Sequence, residues 1–404
     1  MVHNVSPGGA ARQTGRMVAE RTATDASGVR QRNLAAVLQL VHRSRGVTRA
    51  DLTRALGLNR STIGDLVAAL AEAHWVDEVD DAPRESVGRP SPRVVPRTDR
   101  LVAAINPELD AIDVALVALA GHVVARRRVA IDSPTVDQAV SIAARVVDEL
   151  AGEHPSSQVV AAGAAIPGLV RTDDGVVRLA PHLDWHETAF AEPLSRALGV
   201  PAFAANDAQL GCRAELVFGA GRGASTLVYL NGGASGIGGG IAIGGQLVEG
   251  RDGHAGEFGH LTVDPRGPVC ACGSRGCLEA VVSRAQVVAA LGLKHPDDAE
   301  LEAALSAADD GEIAALVDAQ FATLRIGLRS IVTALNLERI VLGGYLATLW
   351  SSSPAHHRAA ALTEALPAIA AGVSIAPAAL GSTRLLIGAA ELAWETLLAD
   401  PLAF

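Results

Sequence analysis

The chain has 404 residues, 49% of them apolar, and a formal net charge of −10. That length exceeds one compact core and implies two or three folding units, while no apolar run reaches the roughly 18 to 20 residues a membrane span needs. The first hundred residues hold 15 Arg against 11 acidic residues, a balance of +4, and the remainder carries −14, so any contact with nucleic acid belongs to the N-terminal quarter.

From Met1 to about Val29 the chain is rich in Ser, Thr and Gly with scattered Arg, and it lacks the apolar stretch of a secretory signal. Residues 1–29 read as a disordered leader, and the protein as cytoplasmic. Between Gln31 and Arg43 the residues Leu34, Val37, Leu38 and Val41 recur at helical spacing. Thr48 is placed to cap a second helix running to about Leu56. Gly57-Leu58-Asn59 then makes a turn, with Asn59 or Ser61 capping a third helix that runs to about Glu72. Ile63, Leu66, Val67 and Leu70 give this helix one buried face, and Asn59, Arg60, Ser61, Thr62 and Asp65 gather at its exposed start. In a helix-turn-helix, the N-terminal residues of the second motif helix reach base edges. Two helices around a glycine turn also occur in bundles with no DNA role, but the local positive charge and the next segment favour DNA. Gly88-Arg89-Pro90-Ser91-Pro92-Arg93 reads as the tip and return strand of a wing. Residues 30–97 are therefore expected to form a winged helix-turn-helix that meets double-stranded operator DNA through Arg49, Asn59, Arg60, Ser61, Thr62, Arg89 and Arg93. Pro90 to Pro96 reads as a short Pro-rich link to the rest.

Past Arg100 the pattern is α/β. Val114–Leu119 and Val123–Ile131 read as a hairpin around Gly121, 136–150 as a helix, and Val159–Ile166 as a buried strand. A second cycle begins with Thr226–Leu230, followed by a glycine-rich turn and Gly240–Ile243, which suggests two similar halves with a cleft between them. Four cysteines without a secretion signal argue against a disulfide framework. His260, Cys270, Cys272 and Cys277 together supply a full tetrahedral zinc shell, and four protein ligands mark a structural zinc. Pro265, Gly267, Pro268, Gly273 and Gly276 supply the bends such closely spaced ligands need. Cys212 reads as a small buried residue.

The segments His254-Ala255-Gly256-Glu257-Phe258-Gly259-His260 and Cys270-Ala271-Cys272-Gly273-Ser274-Arg275-Gly276-Cys277-Leu278-Glu279 resemble the signature of the ROK (repressor, open reading frame, kinase) family. Ile166-Pro167-Gly168-Leu169-Val170, Pro181-His182-Leu183-Asp184-Trp185, Asn206-Asp207, Gly233 through Gly240, Asn336-Leu337 and Val341 through Gly344 fit as well. The resemblance implies two ribonuclease-H-like lobes of actin and hexokinase type over residues 98–404, with sugar in the cleft. It also implies sugar contacts at Asn206, Asp207, Glu257, His260 and Glu279. Where relatives often carry Asn in Pro-Asn-Leu this chain has His182, and His186 follows Trp185, which leaves the sugar open.

The family's kinases carry Asp-x-Gly-x-Thr on the first hairpin to hold ATP phosphates and magnesium. Here that stretch is Ile105-Asn106-Pro107-Glu108-Leu109-Asp110, without the glycine and threonine and with two acids where phosphate should sit. The expected function is a non-enzymatic, sugar-responsive repressor, acting as a homodimer or homotetramer and released by a sugar or sugar phosphate. Two alternatives stand beside it. One is an ATP-dependent sugar kinase with a DNA-binding domain, for which Asp207 would be the general base. The other is a repressor answering to a partner protein.

Overall fold

The computed structural model of the chain describes residues 16–80 and 92–403. They divide into two compact units: the described residues up to Arg97 together with those from Thr396 onward, and Thr98–Glu395.

In the first unit α1 (Arg16–Ser44) is longer than its apolar spacing indicated and takes in part of the stretch read as a leader. Arg16, Met17, Ala19 and Glu20 favour helix in its first turns, while Thr22, Thr24, Asp25, Ser27 and Gly28 do not. β1 (Val47–Thr48) leads into α2 (Arg49–Leu56), where the Thr48 hydroxyl accepts from Asp51 N at 3.1 Å, and Gly57 closes the helix at φ 66°. For α3 (Arg60–Glu72) the cap is Asn59, which accepts from Thr62 N at 2.8 Å, while Ser61 Oγ donates to the same oxygen at 2.7 Å. β2 (Val76–Val79) and β3 (Arg93–Pro96) form an antiparallel pair, with β1 on the far side of β3. Three helices and a wing of this order make a winged helix-turn-helix. Most of the segment read as a link is thus sheet: Val94 is buried, and the residues around it pair on both sides. The last residues also join this unit, because the buried Trp75 indole needs an acceptor and finds the Pro401 carbonyl at 2.6 Å.

The second unit holds two five-stranded sheets of matching topology. In the first, β4 (Arg100–Pro107), β5 (Ala111–Ala118) and β6 (His122–Ala130) form an antiparallel meander, and α4 (Val136–Glu153) leads to β7 (Gln158–Ile166), parallel to β4. A small sheet follows, β8 (Leu169–Arg171), β9 (Val176–Ala180) and β10 (Trp185–Ala189). Helix α5 (Ala191–Leu198) then leads to β11 (Ala202–Asn206), which adds beside β7 and runs into α6 (Asp207–Phe218).

The second half repeats the scheme. The meander is β12 (Thr226–Gly233), β13 (Gly236–Ile243) and β14 (Gln246–Leu247). Helices α7 (Leu278–Val281), α8 (Arg284–Ala290), α9 (Asp298–Ala307) and α10 (Gly311–Leu335) precede β15 (Arg339–Gly344), parallel to β12. After α11 (Tyr345–Ser352) and two short helices, α12 (Ala355–Ala359) and α13 (Pro367–Ala370), β16 (Ser374–Pro377) pairs with β15 and α14 (Arg384–Ala399) ends the fold. The orders β11-β7-β4-β5-β6 and β14-β13-β12-β15-β16 correspond strand for strand. The two halves that the sequence hinted at are therefore real.

Glycines let these layers approach. Residues 233–240, read as a glycine-rich turn, are mostly strand around a two-residue turn. A side chain at Gly238 or Gly240 would stand 2.7 Å from Ala208 or 2.5 Å from Cys212 of α6. At Gly163 of β7 an added Cβ would lie 1.8 Å from the Ala389 carbonyl oxygen of α14. Gly163→Ala is expected to destabilise the protein by about 3 kcal/mol. Gly152→Ala, in helix with open space around it, should stabilise by about 0.5–1 kcal/mol. Urea midpoints moving in opposite directions bear this out, and equal midpoints refute it.

Candidate functional site

The site grows from strand ends and the turns between strands. β11 stops at Asn206, whose Oδ1 caps α6 by accepting from Gln209 N at 3.0 Å and whose Nδ2 donates to the Gly168 carbonyl at 2.9 Å. Asp207, the first residue of α6, is buried and accepts from Ala208 N at 2.8 Å. Burial, reinforced by Glu108 and more weakly by Glu257, pushes its carboxyl up from 3.8 to about 8, against the pull of the Ala208 N–H.

The loop from His254 to His260 lies on β13. A Cβ at Gly256 would sit 2.5 Å from the Gly239 carbonyl oxygen and one at Gly259 2.0 Å from that of Ile237, so only glycine lets the loop dock there. That docking presents Glu257 and His260 to one side. His260 Nε2 faces Glu257 Oε2 at 3.8 Å, and Nδ1 lies 3.5 Å from Glu279 Oε1 and 3.7 Å from Cys270 Sγ. Glu279, near the start of α7, also accepts from Ile237 N at 3.3 Å.

His260, Cys270, Cys272 and Cys277 offer donor atoms all within 4.8 Å of one another. The 3.7 Å separation of Cys272 Sγ and Cys277 Sγ matches the edge of about 3.8 Å that a tetrahedron with metal–sulfur bonds of about 2.3 Å would have. A bridge between Val269 and Arg275 folds the cysteine loop back on itself. Gly276, at φ 66°, could carry no side chain, since a Cβ would lie 1.5 Å from the Asp264 carbonyl oxygen. These residues fit a four-ligand metal ion. Cys212 is buried elsewhere in α6, as expected.

All five residues assigned to sugar line one cleft of about 500 Å³. Three further lining residues stand out. Glu108, in the β4–β5 turn, accepts from Ser235 Oγ in the β12–β13 turn at 2.9 Å, so the corresponding turns of the two halves meet. His182 turns Nε2 into the structure, buried and without a hydrogen-bond partner among the described residues. In the sequence His182 stood out only as a departure, and Glu108 only as an obstacle to phosphate. A second cavity, of about 50 Å³, shares Glu108 and Gly233 with the cleft and is ringed by ion pairs. Arg126 donates to Asp113 at 2.9 Å, Arg128 to Asp110 at 2.8 Å and Arg384 to Asp298 at 2.6 Å.

The candidate DNA residues behave unequally. Arg60 and Ser61 are exposed at the start of α3 and Thr62 is half-buried, but Asn59 and Ser61 also serve the helix cap. Arg49 directs its guanidinium to both carboxylate oxygens of Glu78 on β2, a commitment that reading α2 alone did not reveal. Arg93 lies on β3, with Nη2 3.4 Å from the Arg45 and Gly46 carbonyls. Arg89 falls outside the described residues.

Residues 103–396 match the family model described as the ROK family, and the chain belongs to that family. It is 28% identical to the xylose repressor of Bacillus subtilis over 324 residues, 79% of this chain and 83% of that one. It is 30% identical to a glucokinase of Halalkalibacterium halodurans over 319 residues, 72% of this chain and 94% of the relative. A solved ROK family transcriptional regulator, described as a homolog of the E. coli MLC protein, superposes with a TM-score of 0.70 at 24% identity, covering 93% of this chain and 98% of that one. The fold is that of the two-lobed, hexokinase-like proteins of this family preceded by a helical N-terminal region.

Asp207 yields a pH test. Between about 4 and 8 the folded protein keeps this proton while the unfolded chain has lost it, so the group lowers stability as pH rises through that window and adds no slope above it. Asp207→Asn should therefore raise the melting temperature more at pH 8 than at pH 5. An equal change at both values would show that Asp207 titrates normally.

Proposed function

We propose that the chain is a sugar-responsive transcription regulator, a repressor of carbohydrate uptake or catabolism genes, and not an enzyme. Residues 30–97, joined by the chain end from Thr396, form its DNA-binding domain and 98–395 its sugar-binding domain. The observation that carries the reading is the pairing of a winged helix with a cleft whose phosphate end is occupied by protein. Glu108 bonds Ser235 across the two hairpin turns, and the cavity behind it, about 50 Å³, is far below the roughly 300 Å³ at which ligand pockets begin. The glucokinase relatives favour ATP-dependent phosphorylation as the second reading, in which Asp207 would take the proton of the attacking hydroxyl. Phosphoryl transfer rests on positioning and charge neutralisation, and a buried acid in the phosphate position opposes both.

On this reading Asn206, Asp207, Glu257, His260 and Glu279 hold sugar hydroxyls. Zinc on His260 Nδ1, Cys270, Cys272 and Cys277 is structural; when bound it fixes the imidazole and leaves Nε2 to the cleft. Arg60 and Thr62 meet operator DNA, with Arg93 on the backbone side. No described helix is long and apolar enough to cross a membrane, and a cytoplasmic homodimer or homotetramer suits a palindromic operator whose half-sites lie about 34 Å apart. Sugar and DNA then oppose each other by one shared coupling energy.

The test is fluorescence polarisation on DNA from upstream of the protein's own gene. A saturating sugar is expected to weaken binding at least about tenfold, a coupling of about 1.4 kcal/mol. Arg60→Ala should weaken DNA binding about tenfold without altering sugar affinity, and metal analysis should give one zinc per chain. Operator affinity indifferent to every sugar that binds the protein would refute the repressor reading.

A further inference from the structure

Among the described residues the cleft is lined by four carboxyl side chains, Glu108, Asp207, Glu257 and Glu279, and by neither Arg nor Lys. The nitrogen bases among these lining residues are His182, His186 and His260. Glu108 stands at the end where the cleft adjoins the small cavity. Ser235 occupies its Oε2, and Oε1 lies beside Gly233. Beyond it the arginines are already matched. Arg128 donates to Asp110 at 2.8 Å, Arg284 stands 3.6 Å from the same aspartate, Arg126 donates to Asp113 and Arg384 to Asp298.

A phosphate ester on a bound sugar needs cations or converging N–H donors. At this end it would meet a buried carboxyl and guanidiniums each held by an aspartate. The site already resists negative charge: burial, with a smaller push from Asp110, raises Glu108, and burial reinforced by Glu108 raises Asp207, both above the usual carboxylate range. A neutral hydroxyl has the opposite fate, because a carboxyl with one oxygen engaged still accepts a hydrogen bond on the other.

We propose that Glu108 is a specificity-determining residue of the cleft. It accepts a hydrogen bond from a hydroxyl of an unphosphorylated sugar and rejects the phosphate esters of the same sugars. The loop that serves phosphate in the family's kinases thus reads the sugar's charge in this chain. The inference rests on the sugar-sensing reading above and narrows it to one class of ligand.

Calorimetry on the zinc-loaded full chain at pH 8 tests it. The panel is glucose, mannose and N-acetylglucosamine, each with its 6-phosphate, and xylose with its 5-phosphate. At least one free sugar is expected to bind, with its phosphate at least about a hundredfold weaker, as like charges brought together in a buried site require. Glu108→Gln should narrow that ratio about tenfold or more. A phosphate bound as tightly as its parent sugar overturns the proposal, and so does a folded Glu108→Gln protein with an unchanged ratio. Should Glu108→Gln fail to fold, the wild-type ratio alone decides. Silence from all eight compounds would overturn the sugar-sensing reading itself, a result distinct from a reversed preference.

Discussion

A guanidinium taken out of water must be met on every side, or it destabilises the fold that buries it. Arg384, at the start of α14, has an acceptor at each of its three nitrogens. Its Nε donates to Tyr229 and Asn231 of β12, Nη2 again to Asn231, and Nη1 to Asp298 of α9 and to the Gly381 carbonyl. Beside it Asp110 and Asp113 of the first meander hold Arg126 and Arg128, and Arg126 reaches Ser382 at 2.6 Å. This network and the Glu108–Ser235 bond tie the β4–β5 turn to the second half of the fold. They fill with protein charge the ground that adjoins the sugar cleft. On the proposed reading of the cleft as a reader of sugar, that filling is what leaves no place for a phosphate donor.

The cluster of His260 with three cysteines plays the corresponding part on the other wall. Three cysteines and His260 fall on one short stretch, and folding that stretch sets both the imidazole and the neighbouring Glu279, whose carboxyl touches His260, Cys270 and the Ile237 amide. Glycines at 256 and 259 press the preceding loop onto β13 and so bring Glu257 into the same space. The residues proposed to face sugar and those proposed to hold metal therefore share their support, and a change in the loop is felt at both.

Much of this was legible beforehand because it is local. Thr48 and Gly57 mark the ends of α2 by cap chemistry, and the ligand spacing from His260 to Cys277 needs no tertiary information. What escaped depends on distant partners. Arg49 looks available on α2 until the wing brings Glu78 to it. The end of the chain looks like part of the second unit until the Trp75 indole claims the Pro401 carbonyl. The internal repeat was faint because sheet topology, not side-chain identity, is what the halves share. Glu108 could be recognised as wrong for phosphate, but its bond to Ser235, 127 positions away, appears only when the two turns meet.

On the proposed function this cleft binds sugar without transferring phosphate to it. The decisive experiment incubates the zinc-loaded protein with magnesium ATP and each sugar that binds, and follows sugar phosphate and ADP together. Neither sugar phosphate nor ADP is expected above the protein-free control. Stoichiometric formation of both, dependent on sugar and lost in Asp207→Asn, would contradict it and make the protein a kinase that carries a DNA-binding domain.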